Sequence, residues 1–311
     1  MKRHLAVLDG LRGTAALLVV VFHLLEAYFH TYELNPLRHA YLAVGFFFLL
    51  SGYVVGYAYD DRLSSLRVSD FLRIRLVRLH PLVVAGAVLG ALCYYYDPFA
   101  GQLQFVSGRH LLANMLFGAL LLPFAALPNT YNQIYPLNGP SWSLLQEYLA
   151  NIAYVLLAPR LGQRALQVLA AVSAVALIAA ALAHGNLHGN WGWDNFWMGP
   201  VRLVFPFTMG LLLFRQRISL RVPRAFWVLS LVLLAVFAGL SFQPAGLYEA
   251  LCVIVVLVAA GAGAAPSRGS PLPSAAGAAG SRIRCTCCTT RLLRFSLTGC
   301  AQRTPHWLSL S

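Results

Sequence analysis

Charged residues are scarce in this chain of 311 residues: only 11% are Asp, Glu, Lys or Arg, and 59% are apolar. Ordinary soluble domains contain roughly 25% charged residues. A soluble fold of this length has too small an interior to bury so much apolar surface. The composition therefore excludes an ordinary soluble protein and predicts a protein that crosses a membrane several times.

Acidic residues are the scarcer of the two charged classes, with 10 against 23 basic residues and a formal net charge of +13. Such an excess is also typical of proteins that bind nucleic acid. Here, however, the arginines occur in short runs between apolar stretches, which is the pattern of cytoplasmic loops beside membrane spans. We therefore expect membrane lipid, and no nucleic acid, as a partner.

The sequence also lacks the motifs that hold nucleotide cofactors and metals. It contains no glycine-rich phosphate loop and no dinucleotide fingerprint. The cysteines of the run Cys285–Cys288 lack a second pair of ligands at zinc spacing. His184 and His188 are four residues apart, but the glycine and asparagine between them disfavour a helix. We predict no metal site and no tightly bound cofactor.

Nine apolar segments, most of them close to the roughly 17 to 25 residues that cross a bilayer, alternate with short polar stretches. Lipid cannot satisfy backbone polar groups, so each segment is predicted to be a helix. The predicted fold class is all-α, a polytopic transmembrane helix bundle with about nine spans. The segments are Leu11–Phe29, Tyr41–Tyr59, Leu79–Tyr96, Leu111–Leu127, Ser141–Ala158, Ala165–Ala183, Val201–Phe214, Phe226–Phe242 and Leu247–Ala264.

The arginine distribution predicts how these segments are oriented. The N-terminus and the loop Asp60–Arg78 are rich in basic residues and should be cytoplasmic, as should the linker Gln216–Arg224. Simple alternation of nine spans places that linker outside, so one earlier segment should not cross. Arg160 and Arg164 also favour the inside, which places that segment before Ser141. We expect Leu111–Leu127 to be re-entrant or incompletely spanning, which makes His184–Gly199 an external loop.

Three polar side chains fall inside or beside the predicted spans, where they are costly unless paired or hydrated. Arg12 and His23 enclose ten residues of the first span, a separation of about 16 Å along a helix. A neutral imidazole such as that of His23 can act as a general base, because its pKa lies near working pH. Glu147 follows Trp142 closely and needs a cationic partner or a proton. The alternatives are a packing histidine, an anchoring arginine and a polar tie between helices.

A run of arginines precedes the third span. Arg75 and Arg78 are three residues apart, on one face of a helix, where two guanidinium groups can clamp phosphates. Arg73 lies in the same run, and the alternative is a simple cytoplasmic anchor. In the run Gly45–Tyr53, Ser51 can be a nucleophile, but no separate base is evident and the small residues favour close helix packing.

Four motifs in this order resemble those of a known family. They are Leu8–Gly13 with His23 beyond it, the run Gly45–Tyr53, the run Phe71–Pro81 with its paired arginines, and Pro140–Glu147. Over roughly residues 5 to 150, they resemble the membrane acyltransferase-3 family, the bacterial O-acyltransferases that modify polysaccharides, lipopolysaccharide O-antigens and similar cell-surface glycans.

The resemblance implies about ten helices in the bacterial inner (cytoplasmic) membrane and an enzyme that performs O-acetylation or a related acyl transfer. The donor would be cytoplasmic acyl-CoA, such as acetyl-CoA, as a substrate, and the acceptor a hydroxyl of a glycan or lipid-linked glycan on the far side. Carried over by position, His23 is catalytic with Arg12 and Glu147, while Arg75, Arg78 and Arg73 bind the donor. His23 can act as a base or form an acyl-histidine.

A second function remains open at this point, namely a transporter or flippase of a lipid-linked sugar. In that reading Arg12, His23 and Glu147 form an intramembrane proton relay. Such transporters often have paired halves or broken helices, and no internal repeat of that kind is evident here.

The last 47 residues differ from the rest, with six arginines, four cysteines and no acidic residue, which leaves +7 for the preceding part. The family's last helix carries an ISYxLYxxHxP-like element that is absent here. One choice of codons for Gly280–Arg291, read in another phase, encodes ISYPLHVLHYP, which resembles it. We predict a transmembrane acyltransferase-like domain over 1–264 and, over 265–311, a disordered, low-complexity basic tail that is out of frame, with the last helix lost. The alternative is an ordinary disordered basic tail.

Overall fold

The computed structural model describes residues 5–29, 34–63, 65–96, 107–127, 133–239 and 245–265. Within these ranges the fold is all-α, and the only β-type contact is one isolated bridge between Gln133 and Gly192. The predicted fold class is therefore confirmed. The helices are α1 (Ala6–Tyr28), α2 (Ala43–Tyr59), α3 (Val68–Tyr95), α4 (Gly108–Ala119), α5 (Ser141–Leu157), α6 (Gln163–His184), α7 (Met198–Arg215), α8 (Ala225–Ala238), α9 (Ala245–Leu251) and α10 (Val258–Ala264), with a π-helical segment Cys252–Leu257 that joins α9 to α10.

Six helices in the described part of the chain are long and apolar enough to cross a membrane: α1, α2, α3, α6, α7 and the continuous helix Ala245–Ala264. The shorter helices α5 and α8, of 17 and 14 residues, complete the bundle. Every predicted segment contains a helix, as expected where only a helix satisfies the backbone within lipid. The molecule is a multi-pass membrane protein.

Contacts between helix ends show how the chain runs. The start of α1 lies beside the start of α8, because a Cβ atom at Gly10 would contact Phe226. At the same end of the bundle, Leu220 N in the linker before α8 donates to Ala262 O near the end of α10 over 2.9 Å. On the outer side, His39 N donates to Phe237 O near the end of α8 over 3.1 Å. Ala6 and Ala264 therefore lie towards the same end of the bundle, which the arginine distribution predicts to be the inner one.

Helix α4 is the predicted segment that does not cross. It has 12 residues, a length of about 18 Å, whereas the hydrocarbon core is about 30 Å thick. The chain turns just after it at Leu121, where φ is +55°. The outer half of α3 and the segment before α5 lie side by side, because a methyl group at Gly90 would overlap the carbonyl oxygen of Leu137. This arrangement agrees with the expectation for Leu111–Leu127.

The helix of the third predicted span begins before the span itself. Helix α3 starts at Val68 and contains Pro81, so the second half of the predicted cytoplasmic stretch Asp60–Arg78 is helical. The physical reason is that Phe71 and Arg75, four residues apart, are both buried on one face and give this basic run a packed helical side.

The centre of the bundle is a backbone contact between α2 and α7. A methyl group at Gly52 would overlap the carbonyl oxygen of Phe207, and one at Gly210 would overlap that of Leu49. Glycines allow two helices in lipid to approach this closely, where dispersion and packing drive association. The packing role predicted for the run Gly45–Tyr53 is confirmed.

An ion pair ties the inner ends of four helices. Asp60, which follows α2, accepts hydrogen bonds from Arg215 Nε and Nη2, each over 2.8 Å, and one from the Tyr154 hydroxyl over 3.1 Å. The same guanidinium donates to the carbonyl oxygens of Leu161 and Ala158. This bidentate geometry satisfies a charged group at the edge of the membrane.

Candidate active site

Five side chains from four helices form what we call the inner cluster: Arg12, Ser51, Arg75, Arg78 and Glu147. Oε1 of Glu147 accepts a hydrogen bond from Ser51 Oγ over 3.0 Å and one from Arg75 Nη2 over 3.3 Å. The Arg75 side chain is only 3% exposed, whereas that of Glu147 is 24% exposed. Arg75 is therefore the cationic partner that the position of Glu147 requires.

The inner cluster has a surplus of positive charge. Arg12 interacts electrostatically with Glu147 and with Arg78, and Arg75 interacts with both other arginines. Three guanidinium groups are opposed by the carboxylate of Glu147 and, at Arg12, by that of Asp9, which leaves one uncompensated positive charge. Such a group of arginines is suited to an anion, because guanidinium binds phosphate or carboxylate bidentately.

Arg73 does not join this cluster. It is exposed, and a separation of two residues places it about 200° around α3 from the buried Arg75. The structure thus brings together two of the three arginines expected to bind the donor and places the third on another face. Helical spacing explains this difference. Arg78 is three residues from Arg75, about 300° around the helix and so close to the same face, whereas Arg73 is two residues away, on nearly the opposite side.

Five further side chains form what we call the outer cluster: His23, Glu26, Tyr41, His188 and Glu249. His23 Nδ1 lies 2.8 Å from Glu26 Oε2, one turn further along α1, and both side chains are about one quarter exposed. When His23 is neutral and Nδ1 donates to this carboxylate, Nε2 has an available lone pair. A carboxylate that orients an imidazole in this way is the arrangement of a general base.

A buried ionic network supports the outer cluster. The Glu249 carboxylate accepts hydrogen bonds from the Tyr41 hydroxyl and from Leu187 N, and it lies 3.3 Å from His39 Nδ1. Arg202 donates to Gly189 O over 2.8 Å and to Tyr41 O over 2.9 Å. These contacts hold the loop after α6 against the segment that precedes α2.

The predicted catalytic residues divide between the two clusters. Arg12 and Glu147 belong to the inner cluster, and His23 belongs to the outer cluster, about 16 Å further along α1 from Arg12. Glu147 therefore pairs with an arginine and a serine. Among the described residues, no group of three or more His, Cys, Asp or Glu side chains could hold a metal ion.

Sequence reasoning missed several residues of these sites. Glu26 follows His23 by one helical turn, a spacing that could have identified it. Glu249 and Arg202 are charged residues inside predicted spans, a signal that was applied to Glu147 but not to them. Ser51 was considered, but its partner is 96 residues away, so only the fold shows their hydrogen bond.

A multi-pass helical bundle with an arginine-rich site on the inner side and an imidazole–carboxylate pair on the outer side has the features of a membrane-embedded transfer enzyme. The chain belongs to the acyltransferase-3 family, because the family model described as "Acyltransferase domain" matches residues 5–267. The enzyme is an acyltransferase that transfers groups other than amino-acyl groups.

Two relatives are similar to parts of the chain. "Protein 2 in picA locus" of Rhizobium radiobacter is 35% identical over 183 residues, which cover 56% of this chain and 93% of that protein. "Acyltransferase MdmB" of Streptomyces mycarofaciens is 28% identical over 230 residues, 66% of this chain. The matched part spans 56% of the length of this second protein. No solved structure matches the chain significantly.

Proposed function

We propose that this acyltransferase moves an acyl group, most simply acetyl, from cytoplasmic acyl-CoA to a hydroxyl of a cell-surface glycan or lipid-linked glycan. It would act in the cytoplasmic membrane of a bacterium. The observation that carries the proposal is the placement of an arginine cluster and an imidazole–carboxylate pair towards opposite ends of the same helix, α1. The sites face the two sides from which donor and acceptor would come.

The inner cluster would bind the donor. Coenzyme A carries phosphates at one end and the thioester at the end of its pantetheine arm. Arg12, Arg75 and Arg78 supply the positive charge that phosphates need, and Glu147 holds Arg75 in place. The roughly 16 Å between Arg12 and His23 favours a donor whose anionic and acyl-bearing ends are separated by an extended arm.

The outer cluster would perform the transfer. His23 Nε2 accepts the proton of the acceptor hydroxyl, whose oxygen attacks the thioester carbonyl carbon. A C–O bond forms, the C–S bond breaks, and the imidazolium returns its proton to the departing thiolate. Glu26 stabilises the imidazolium through Nδ1–H, 2.8 Å away. The same orientation also serves attack by Nε2 itself, with an acyl-histidine intermediate that the hydroxyl then cleaves.

The proposal is tested on cells that contain the intact protein and produce surface glycan. Base-labile acetyl esters on purified glycan are quantified by NMR for the native chain and for His23→Ala. His110→Ala is the matched control, because His110 is an exposed histidine on α4, away from both clusters. Both variants should insert into the membrane to the same extent, but only the control should acetylate the glycan.

Acetylation that survives in His23→Ala would overturn the mechanism. If membranes with the native chain consume no labelled acetyl-CoA but expose a lipid-linked sugar on the outer leaflet, the transporter alternative replaces the proposed function. The control variant separates loss of chemistry from loss of folding.

A further inference from the structure

A small cavity lies where helix α4, which does not cross the membrane, meets α3 and the start of α5. Its wall is mostly apolar and includes Ala87 of α3, Gly118 of α4 and the ring of Phe124. Two asparagines, Asn114 of α4 and Asn138 before α5, line the same cavity. The cavity has room for a single water molecule and is too small for a sugar ring or an acyl chain.

Asn114 presents one hydrogen-bond acceptor at this cavity. The residue is only 3% exposed, and its Nδ2 donates to His110 O, one turn earlier in α4, over 2.8 Å. This bond fixes the orientation of the amide. Its Oδ1 is buried and accepts no hydrogen bond within the part of the chain that the structure describes. A buried amide oxygen is unfavourable without a donor, so this position requires one.

Asn138 presents both a donor and an acceptor. The residue is 5% exposed, and its backbone is used by the turn that starts α5: its N donates to Tyr135 O over 3.2 Å, and its O accepts from Ser141 N over 2.9 Å. The side-chain Nδ2 and Oδ1 are buried, and neither has a hydrogen-bond partner among the described residues. The carboxamide is therefore available in full to a group in the cavity.

The two asparagines are complementary to water. They are not hydrogen-bonded to each other, although both line the same cavity. Water has two donors and two acceptors, so one molecule can donate to Asn114 Oδ1 and accept from Asn138 Nδ2. Buried waters typically make two to four such bonds, and they occur where a cavity of this size has polar groups in its wall.

We propose that this cavity binds one water molecule, which bridges Asn114 and Asn138 and ties α4 to the start of α5. Helix α4 is too short to anchor itself by crossing, and Leu112 and Leu116 on its surface are about half exposed. In lipid there is no hydrophobic driving force between helices, so polar contacts contribute to their association. The tie holds α4 against the helix that carries Glu147, whatever acyl group or acceptor the enzyme uses.

The first test is a double-variant cycle on the full chain, measured by thermal unfolding in detergent. Asn114→Leu and Asn138→Leu should each lower the Tm by about 2–8 °C, because each removes one side of the bridge and strands the other amide. The variant with both substitutions has no stranded amide. It should therefore unfold at a temperature no lower than that of the less stable single variant.

The matched control is Asn35→Leu. Asn35 is equally buried, but its amide bonds to Phe22 O and Leu37 N and does not line the cavity. Its effect on the Tm should add to that of Asn114→Leu, because the two residues share no partner. Amide hydrogen exchange gives a local measurement: it should speed up in α4 of Asn114→Leu and stay native in α6.

The second test distinguishes a bridging water from direct contact of the amides. Asn138→Gln has one more methylene, which can cross the space of the water and reach Asn114, so the Tm should stay near native. If the two amides touch directly, the extra methylene overpacks the site and the Tm should fall as for leucine. An electron cryomicroscopy map that resolves water should show a density peak about 2.7–3.2 Å from both amides.

Additive losses in the double variant, a Tm of Asn138→Gln as low as that of Asn138→Leu, or no peak in such a map would overturn the proposed water. Non-additivity that appears only with acceptor glycan present would also overturn it, because the cavity would then hold a hydroxyl of the acceptor. Normal glycan acetylation in these variants leaves the expected Tm changes intact, so failure of the water site and failure of the proposed function are separate results.

Discussion

The inner and outer clusters share α1 but differ in the kind of charge that they carry. The inner cluster carries three guanidinium groups, opposed by Glu147 and, at Arg12, by Asp9. The outer cluster contains imidazoles and carboxylates, side chains that can take up or release a proton in a reaction. Permanent charge is suited to binding and titratable groups are suited to proton transfer, which is why we propose that donor binding and acyl transfer occur at different depths of the membrane.

The clusters also differ in what supports them. Helices α1, α2, α3 and α5 contribute the inner side chains directly, whereas His188 of the outer cluster lies on a loop that contacts with Glu249 and Arg202 hold in place. If binding and chemistry are separable, substitutions in the two clusters should change different kinetic parameters.

The largest effect is expected for His23→Ala, which removes the proposed base. The rate of acyl transfer should fall about 10²- to 10⁴-fold, while the affinity for acetyl-CoA should stay within about twofold of native. Equilibrium binding of labelled acetyl-CoA to membranes measures the second quantity. A parallel loss of donor affinity would show that the two clusters are not separable.

A smaller effect, on the KM for acetyl-CoA and not on the rate of transfer, is expected for Arg75→Gln. The loss of this buried guanidinium should raise the KM for acetyl-CoA about 10- to 100-fold, because charge-assisted hydrogen bonds to a ligand are each worth about 1.5–3 kcal/mol. The pH profile of transfer should stay unchanged. Steady-state kinetics at several pH values measure both. Arg73→Gln, on another face of α3, is the matched control and should change KM by less than about twofold. Equal effects of the two substitutions would refute the assignment of the inner cluster.

The ion pair between Asp60 and Arg215 lies outside both clusters and should affect folding alone. Asp60→Asn should lower the free energy of unfolding by about 2 kcal/mol, because it weakens charge-assisted hydrogen bonds. Thermal unfolding in detergent is the measurement, with Asp61→Asn, at the exposed neighbour, as the control. A change in KM or kcat for the folded Asp60→Asn protein would be unexpected.

The smallest effect is expected for Ser51→Ala. Its hydroxyl is one of two donors to Glu147, and a single such hydrogen bond is worth about 1 kcal/mol, or roughly fivefold in donor KM. Competition binding with acetyl-CoA resolves a change of this size. A complete loss of transfer would instead support the nucleophile reading of Ser51.

Most of the fold follows from the sequence because lipid permits few alternatives. Apolar runs in a membrane must be helices, and the placement of arginines, together with Pro123 and Pro128, predicts that Leu111–Leu127 does not cross. The start of α3 at Val68 could not be predicted, because the stretch from Arg67 to Arg78 is basic and its buried face consists of Phe71 and Arg75. Residues 266–311 lie outside the described residues, so the boundary at 264 and the frame-shifted tail stay predictions.

The site was predictable only where its partners are close in sequence. Arg75 and Arg78 share a face because they are three residues apart, and Arg12 and His23 are fixed on one helix. The partners of Glu147 come from two other helices, 72 and 96 residues away. Such contacts depend on how α2, α3 and α5 pack, and spacing along the chain carries no information about that.

The glycine contact between α2 and α7 has a consequence for the interpretation of mutational scans. Gly52 is the neighbour of Ser51, and even one methyl group there would collide with the backbone of α7. Alanine, usually the mildest replacement, should therefore displace α2 and draw the Ser51 hydroxyl away from Glu147. An alanine scan would then rank Gly52 and Gly210 with the reactive residues, although neither offers a functional group to a substrate.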